Sequence, residues 1–184
     1  MHPSIEGNMN QLRAISVESI PRAIAKAERY RLLNEPRCAE SICRDILAVD
    51  AKNQDAIKIL ILAITDQFSS FADRMGVRER KEDVESLLSH LPDEYARRYY
   101  TGVMLERWGK GLLGVKCDSS TVLDMLERAM VEYEAADKLA DPVNQDAVLR
   151  WNTCVRLIAR YELKSKPQEP VIHLEAFDDE VPYR

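Results

Sequence analysis

The chain has 184 residues, a hydrophobic fraction of 46% and a formal net charge of −5. This length suits one well-cored domain, and the mildly acidic balance argues against a basic surface for nucleic acid or anionic lipid. The low glycine content, 6 residues, favours helices over turn-rich β structure.

The first part of the chain predicts an arm followed by a helical hairpin. Residues 1–19 are weakly patterned and predict an arm or a short helix. An amphipathic helix follows over about 20–33, with Ser19 as a candidate N-cap. Pro36 then begins a second helix that reaches about Val49 with a single apolar stripe. Two helices joined by so short a break lie antiparallel.

The middle of the chain predicts a central helix and two connectors. Residues 54–71 are apolar on nearly every side, which is typical of a helix packed all round. A charged stretch, 73–83, predicts a connector around a glycine, and a fourth helix follows up to Pro92. The fifth helix begins at Glu94 and reaches Trp108 or beyond, and the glycine-bearing stretch 109–120 predicts a second connector.

Two more helices and a tail complete the predicted architecture. The sixth helix is expected over about 121–139 and the seventh over about 145–163. The final stretch, 165–184, carries three prolines and five acidic residues against two basic ones, and predicts an extended tail. We therefore predict an all-α antiparallel helix-hairpin array with an arm at 1–19, a helical domain at 20–164 and a tail at 165–184.

An internal echo supports a repeat architecture. Residues 47–56 read LAVDAKNQDA, and residues 139–147 read LADPVNQDA. Each copy ends one apolar-periodic segment and begins the next. A stop-and-restart signal that recurs between helices is typical of helical-repeat arrays.

These hairpins resemble degenerate tetratricopeptide repeats, whose helix pairs of about 34 residues stack into a right-handed superhelix. The small and aromatic positions of the family are matched in the first and last pairs by Ala27, Tyr30, Ala39, Gly102, Ala129, Tyr133 and Ala136. The position where the family usually has Asp-Pro is occupied by Asp50 and Ala51 in the first pair and by Asp141 and Pro142 in the last. Cys43 and Ile46 depart from the family pattern, and the second and third pairs have long connections. The resemblance covers about 20–164.

The resemblance implies a concave groove, lined by the first helix of each pair, that binds a protein or peptide segment. The positions carried over are Ile24, Glu28, Arg31, Lys58, Leu62, Thr65, Leu149, Thr153 and Arg156. One subclass of the family binds chaperone C-termini through a Lys/Asn/Arg set. Ile24, Glu28 and Ile59 stand at the matching positions here, which disfavours that ligand.

Several motifs that could indicate chemistry have a structural explanation. The stretch 109–114 matches GxGxxG, but a helical pattern precedes it where a phosphate-binding loop needs a strand, so a flexible helix-ending loop is predicted. The cluster formed by Tyr95, Tyr99 and Tyr100 predicts ring packing, and the basic stretch around Arg80 predicts a self-paired surface.

No catalytic, cofactor or metal site is predicted. The three histidines, His2, His90 and His173, lie far apart along the sequence, and no Ser or Cys has a local catalytic signature. The scattered cysteines lack a CxxC pair, which disfavours a disulfide framework or a zinc site. Cys43 and Cys154 fall on apolar helical faces, as expected of buried reduced thiols, and this favours the cytoplasm.

The sequence thus predicts a soluble, non-enzymatic adaptor or scaffold that binds a protein partner, and neither nucleic acid nor a membrane. Three alternatives stay open: a secretion or assembly chaperone for one client, a homo-oligomer building block, and an enzyme whose site is not visible in sequence. The stretch 171–177 is apolar enough to dock in the groove of its own or a neighbouring chain. A disordered solubilising tail is the competing interpretation of the same residues.

Overall fold

The computed structural model describes residues 11–70, 74–114 and 117–165, and these fold into helices without a strand. In chain order the helices are α1 (Ile20–Leu32), α2 (Pro36–Val49), α3 (Gln54–Asp66), α4 (Arg74–Leu88), α5 (Glu94–Gly114), α6 (Ser119–Asp137) and α7 (Asp146–Arg160). Short 3-10 turns lie at Val17–Ser19 and Phe68–Ser70. The prediction of an all-α helical array is confirmed. Most of the predicted arm and tail lies outside the described residues.

The helices form a chain of hairpins with one shared face. Each helix packs against its neighbours in the sequence, and α1, α3, α5 and α7 also contact one another in that order. The even-numbered helices of the described residues lack contacts of similar extent with one another. We call the surface formed by the four odd-numbered helices the inner face, because successive hairpins contact one another through these helices.

The central position predicted for α3 is confirmed. Its side chains are buried on nearly every side of the helix, with Ile57, Ile61 and Ile64 at most 2% exposed. The repeated asparagine of the echo accepts a backbone N–H at the start of the next helix in both copies, as the N-cap of α3 and from the position before the N-cap of α7. Asn53 Oδ1 accepts the Ala56 N–H at 3.0 Å, and Asn144 Oδ1 accepts the Asp146 N–H at 3.1 Å. Each asparagine thus satisfies a free N–H where the next helix begins.

The connector predicted at 73–83 is wrong, because α4 begins at Arg74. Charged residues such as Arg, Glu and Lys are good helix formers, and a single glycine costs only about 1 kcal/mol inside a helix. Ion pairs one turn apart also support the helix, since Lys81 pairs with Glu85 and Arg80 pairs with Asp83 at 3.0 Å.

The connector predicted at 109–120 is also wrong for most of its length, because α5 continues to Gly114 and α6 begins at Ser119. A Cβ added at Gly109 would lie 3.3 Å from the Met125 Cβ, and one added at Gly111 would lie 3.0 Å from the Phe68 carbonyl oxygen. These glycines therefore allow neighbouring elements to approach α5. The GxGxxG match belongs to a packed helix, and the flexible loop predicted there is not found.

The end of α7 reverses the direction of the chain. Glu162 has a positive φ of 47°, the Leu163 N–H bonds to the Ile158 carbonyl at 3.1 Å, and the Glu162 N–H bonds to the Ala159 carbonyl at 3.3 Å. This is the Schellman pattern of helix termination. Leu163 is buried and the Lys164 N–H bonds to Ser119 Oγ at 3.2 Å. The chain therefore leaves the described domain beside the N-terminus of α6.

Glu40 joins three parts of the array. Its carboxylate accepts hydrogen bonds from Arg80 at 2.5 Å, from Gln67 at 2.7 Å and from Arg44 at 2.8 Å. Burial alone would raise the pKa of Glu40, but these hydrogen bonds outweigh burial and lower the pKa from 4.5 to about 2. The ionised form of Glu40 therefore stabilises the junction of α2, α3 and α4.

Replacing Glu40 by Gln is expected to destabilise the protein at neutral pH by about 1–2 kcal/mol, because charge-assisted hydrogen bonds to two arginines are lost. Since the folded-state pKa is below the unfolded one, the contribution of Glu40 is present above pH 4.5 and is lost as the pH falls towards 2. Urea unfolding at several pH values should show the two proteins converging in acid. The exposed pair Glu134–Lys138 provides the control, and Glu134→Gln should change stability by less than about 0.5 kcal/mol.

Replacing Gly102 by Ala is expected to destabilise the protein by about 1–3 kcal/mol, because the new Cβ would lie 2.5 Å from Cε1 of the Tyr133 ring. Gly114→Ala is the matched control, since nothing lies within 4 Å of a Cβ at that position. Thermal unfolding followed by circular dichroism measures both. Equal melting temperatures for the two variants would contradict the close approach of α5 and α6.

Candidate functional site on the inner face

The groove residues predicted on α1 and α3 differ in their environments. Ile24 packs against the core, Glu28 is exposed and Arg31 is half-buried. Leu62 and Lys58 are half-buried, and Thr65 is buried.

The groove residues predicted on α7 lie apart from the α1 and α3 set. Leu149 is 62% exposed, Arg156 is exposed, and the Thr153 hydroxyl donates to the Leu149 carbonyl of its own helix at 3.0 Å. Arg150, the residue after Leu149, faces α5 and contacts its side chains. Arg31, Leu62 and Thr65 are therefore connected by one set of contacts. Within the described residues, Leu149, Thr153 and Arg156 of α7 take no part in these contacts.

The first polar cluster of the inner face is centred on Asp66. Arg31 Nε donates to Asp66 Oδ2 at 2.8 Å, and Arg107 Nη1 lies 2.9 Å from Asp66 Oδ1. Arg107 Nη1 also donates to the Thr65 hydroxyl at 2.6 Å and to the Leu62 carbonyl at 3.1 Å. Burial lowers the pKa of Arg107, and Asp66 opposes that shift. One carboxylate thus holds two arginines from α1 and α5 against α3.

The second cluster is centred on Glu106, which is completely buried. Its carboxylate accepts hydrogen bonds from Lys110 Nζ at 2.5 Å, from Tyr133 Oη at 2.7 Å and from Arg150 Nη1 at 3.2 Å. Burial, together with the adjacent Glu106 charge, raises the pKa of Tyr133. Burial would lower the pKa of Arg150, but the effects of Glu106, Tyr133 and Tyr99 together outweigh burial and raise the pKa. This carboxylate joins α5, α6 and α7.

Tyrosine rings lie between the two clusters. Tyr99 stacks on Tyr95 with centroids 5.8 Å apart and meets Tyr100 edge-on at 5.2 Å, so the predicted ring packing is confirmed. The Tyr99 ring also lies 6.1 Å from the Tyr133 ring, centroid to centroid, and Tyr99 is among the groups that raise the pKa of Arg150. Burial raises the pKa of Tyr100 to about 12, and Arg31 is among the charges that act on it. The rings therefore bridge the Asp66 cluster and the Glu106 cluster.

We call the six charged residues of these clusters the inner-face network: Arg31, Asp66, Glu106, Arg107, Lys110 and Arg150. Four of them are cations and two are carboxylates, so the network carries an excess of two positive charges. The guanidinium group has five N–H donors, and within the described residues Arg31 uses only Nε. The side chains of Arg31 and Arg150 are 22% and 26% exposed. The network can therefore donate further hydrogen bonds to an acceptor on the inner face.

Sequence reasoning did not include α5 in the groove, although α5 supplies Glu106, Arg107 and Lys110. Gly102 was matched to a family position on this helix, but with the long spacing of the third helix pair no groove position was carried over onto it. A polar residue at a core position was the available signal, because Glu106 follows the apolar run Val103–Leu105 and is followed one turn later by Lys110. That signal predicts a buried ion pair but does not identify its partners on other helices.

The cysteines of the core are unsuited to nucleophilic chemistry. Burial raises the pKa of both Cys43 and Cys154 to about 12, so the thiolate forms of these residues are disfavoured. In the parts of the chain that the structure describes, no three His, Cys, Asp or Glu side chains are grouped so that they could hold a metal ion. The inner face thus presents fixed hydrogen-bond donors and aromatic rings.

Comparison with protein-family models, curated proteins and solved structures found no match to this chain. Among the described residues, no helix combines the length and the apolar character needed to cross a bilayer.

Replacing Tyr133 by Phe is expected to destabilise the protein by about 1–3 kcal/mol, because a hydrogen bond to a buried carboxylate is lost while the ring is retained. Urea unfolding at pH 7 measures the change. Tyr161→Phe is the control, because Tyr161 is 48% exposed and its hydroxyl can bond to water. A Tyr133 variant as stable as the control would show that Tyr133 contributes nothing through its hydroxyl.

Proposed function

We propose that this chain is a non-enzymatic protein-interaction module, an adaptor or scaffold of the tetratricopeptide-like kind, whose inner face binds an extended partner segment. The observation that supports this function is the inner-face network, in which three arginines and neighbouring tyrosines from different helices share one surface. Arginine and tyrosine are enriched among the residues that contribute most to binding at protein interfaces.

The size of the surface suits a short extended peptide. Four neighbouring helices at about 8–10 Å spacing span about 24–30 Å, which an extended chain covers with about 7–9 residues. The carboxylates hold the arginines in place before a ligand arrives, which lowers the entropic cost of binding. Because the helices and their donors are already in place, a partner segment is expected to bind without a large change in the conformation of the protein.

Two further features agree with this function. Cys43 and Cys154 are buried free thiols, which supports a reducing compartment and hence a cytoplasmic location. Their raised pKa values disfavour a role as nucleophiles.

The test uses the full-length protein and the double variant Arg31→Gln/Arg150→Gln. Each buried carboxylate retains a partner in this variant, since Asp66 keeps Arg107 and Glu106 keeps Lys110 and Tyr133. Affinity capture from native lysate with quantitative mass spectrometry is expected to recover a partner with the wild type and to recover at least about tenfold less with the variant, which corresponds to about 1.4 kcal/mol.

The matched control is Arg22→Gln/Arg29→Gln, which removes the same charge from exposed positions of α1. This control is expected to capture the partner as the wild type does, and both variants should melt within a few degrees of the wild type. A partner recovered equally with the inner-face variant would refute binding at this face.

A further inference from the structure

The inner-face network and the stretch 171–180 carry opposite charges. The inner-face network has two more cations than carboxylates, although the whole chain has a net charge of −5. The stretch 171–180 reads VIHLEAFDDE and has four acidic residues with no Lys or Arg. Its apolar residues, including Leu174 and Phe177, precede or separate these acids. The stretch thus combines the two kinds of side chain that an arginine- and tyrosine-lined surface accepts.

The length of the chain allows this stretch to reach the inner face of its own molecule. Lys164 is held beside Ser119, four residues after α7 ends at Arg160, and Arg150 lies ten residues before that end, or about 15 Å along the helix. Glu175 and Glu180 follow Lys164 by 11 and 16 residues, which corresponds to about 36–53 Å of extended chain. The acids therefore reach beyond Arg150 by about the distance that separates α7 from α3 or α1.

We infer that residues 171–180 bind the inner face of their own chain, with their carboxylates on Arg31, Arg107 and Arg150 and with Phe177 against the tyrosine rings. This inference rests on the proposed function, because it assigns an internal ligand to the surface that a partner would use. A partner then competes with a segment whose effective concentration is of the order of millimolar. A partner that binds weakly therefore does not displace the internal segment, whereas a partner that binds tightly does.

A second basic surface of the molecule serves as the internal control. Arg22, Lys26 and Arg29 line a depression of about 620 Å³ on α1 together with Tyr30. Arg22, Lys26 and Arg29 are exposed, so solvent and salt screen them more than the half-buried arginines of the inner face. Arginines that are already oriented by carboxylates also lose less freedom on binding. These two differences favour the inner face as the site for the acidic segment.

The experiment compares full-length proteins in their binding of a fluorescein-labelled peptide with the sequence of residues 169–184. In a neutral-segment variant, Glu175→Gln/Asp178→Asn/Asp179→Asn/Glu180→Gln, the internal competitor is weakened. Fluorescence anisotropy is expected to show that this variant binds the peptide at least about tenfold more tightly than the wild type. The affinity should fall as salt is raised from about 0.05 to 0.3 M, because charged contacts are screened.

Adding Arg31→Gln/Arg150→Gln to the neutral-segment variant should weaken peptide binding at least about tenfold, and adding Arg22→Gln/Arg29→Gln should change it less than about twofold. Equal peptide binding by the wild type and the neutral-segment variant would overturn the inference. Equal losses from the two arginine pairs would overturn it as well, because binding would then be non-specific. A wild-type dimer that becomes monomeric in the neutral-segment variant would assign the segment to a neighbouring chain and overturn the intramolecular inference.

The two proposals fail in different ways. If the peptide does not bind but a lysate partner is still lost from the inner-face variant, the proposed function stands without an internal ligand. If the peptide binds the inner face and no partner depends on that face, the internal ligand stands and the adaptor function fails.

Discussion

The buried carboxylate of Glu106 is the interaction on which the second half of the array depends. It is completely buried on α5 and accepts hydrogen bonds from α6 through Tyr133 and from α7 through Arg150, while Lys110 supplies a second positive charge. A buried carboxylate left without any cationic partner typically costs about 3–5 kcal/mol, and Glu106 has two such partners, Lys110 and Arg150. The relative placement of α5, α6 and α7 is therefore fixed by a polar contact as well as by apolar packing.

The same polar contacts that position the helices also define the chemistry of the inner face. Asp66 and Glu106 each bind two cations, so the carboxylates are neutralised and positive charge remains on the surface. The structural role and the proposed binding role therefore share one set of side chains. A rigid, partly buried cation presents its donors without the loss of side-chain entropy that a free surface arginine would pay on binding.

The elements with a clear apolar period could be predicted from the sequence to within a few residues. The bounds of α2 are as predicted, and α1, α6 and α7 end within three residues of their predicted limits, because one stripe of apolar residues decides each helix. The two wrong connectors share a cause. Glycine was interpreted as a break, whereas in α5 it provides space for Met125 and Phe68, which are distant in sequence.

The candidate site could be predicted only in part for a related reason. Arg31, Leu62 and Thr65 were predicted from the resemblance, but Arg107, which connects them, lies on α5, for which the resemblance gave no groove position. Arg150 lies one position from the predicted Leu149, a shift of about 100° around the helix axis. Which of two adjacent residues faces a neighbouring helix depends on the rotation of their own helix about its axis, and tertiary packing sets this rotation.

The contact between Gly102 and the Tyr133 ring has a consequence for how this sequence can change over time. A side chain at position 102 needs a smaller residue at position 133, yet the Tyr133 hydroxyl is bonded to Glu106. Loss of that hydroxyl would in turn leave Glu106 with only its cationic partners on α5 and α7. Positions 102, 106 and 133 are therefore energetically coupled, so that a substitution at one of them alters the cost of a substitution at the other two.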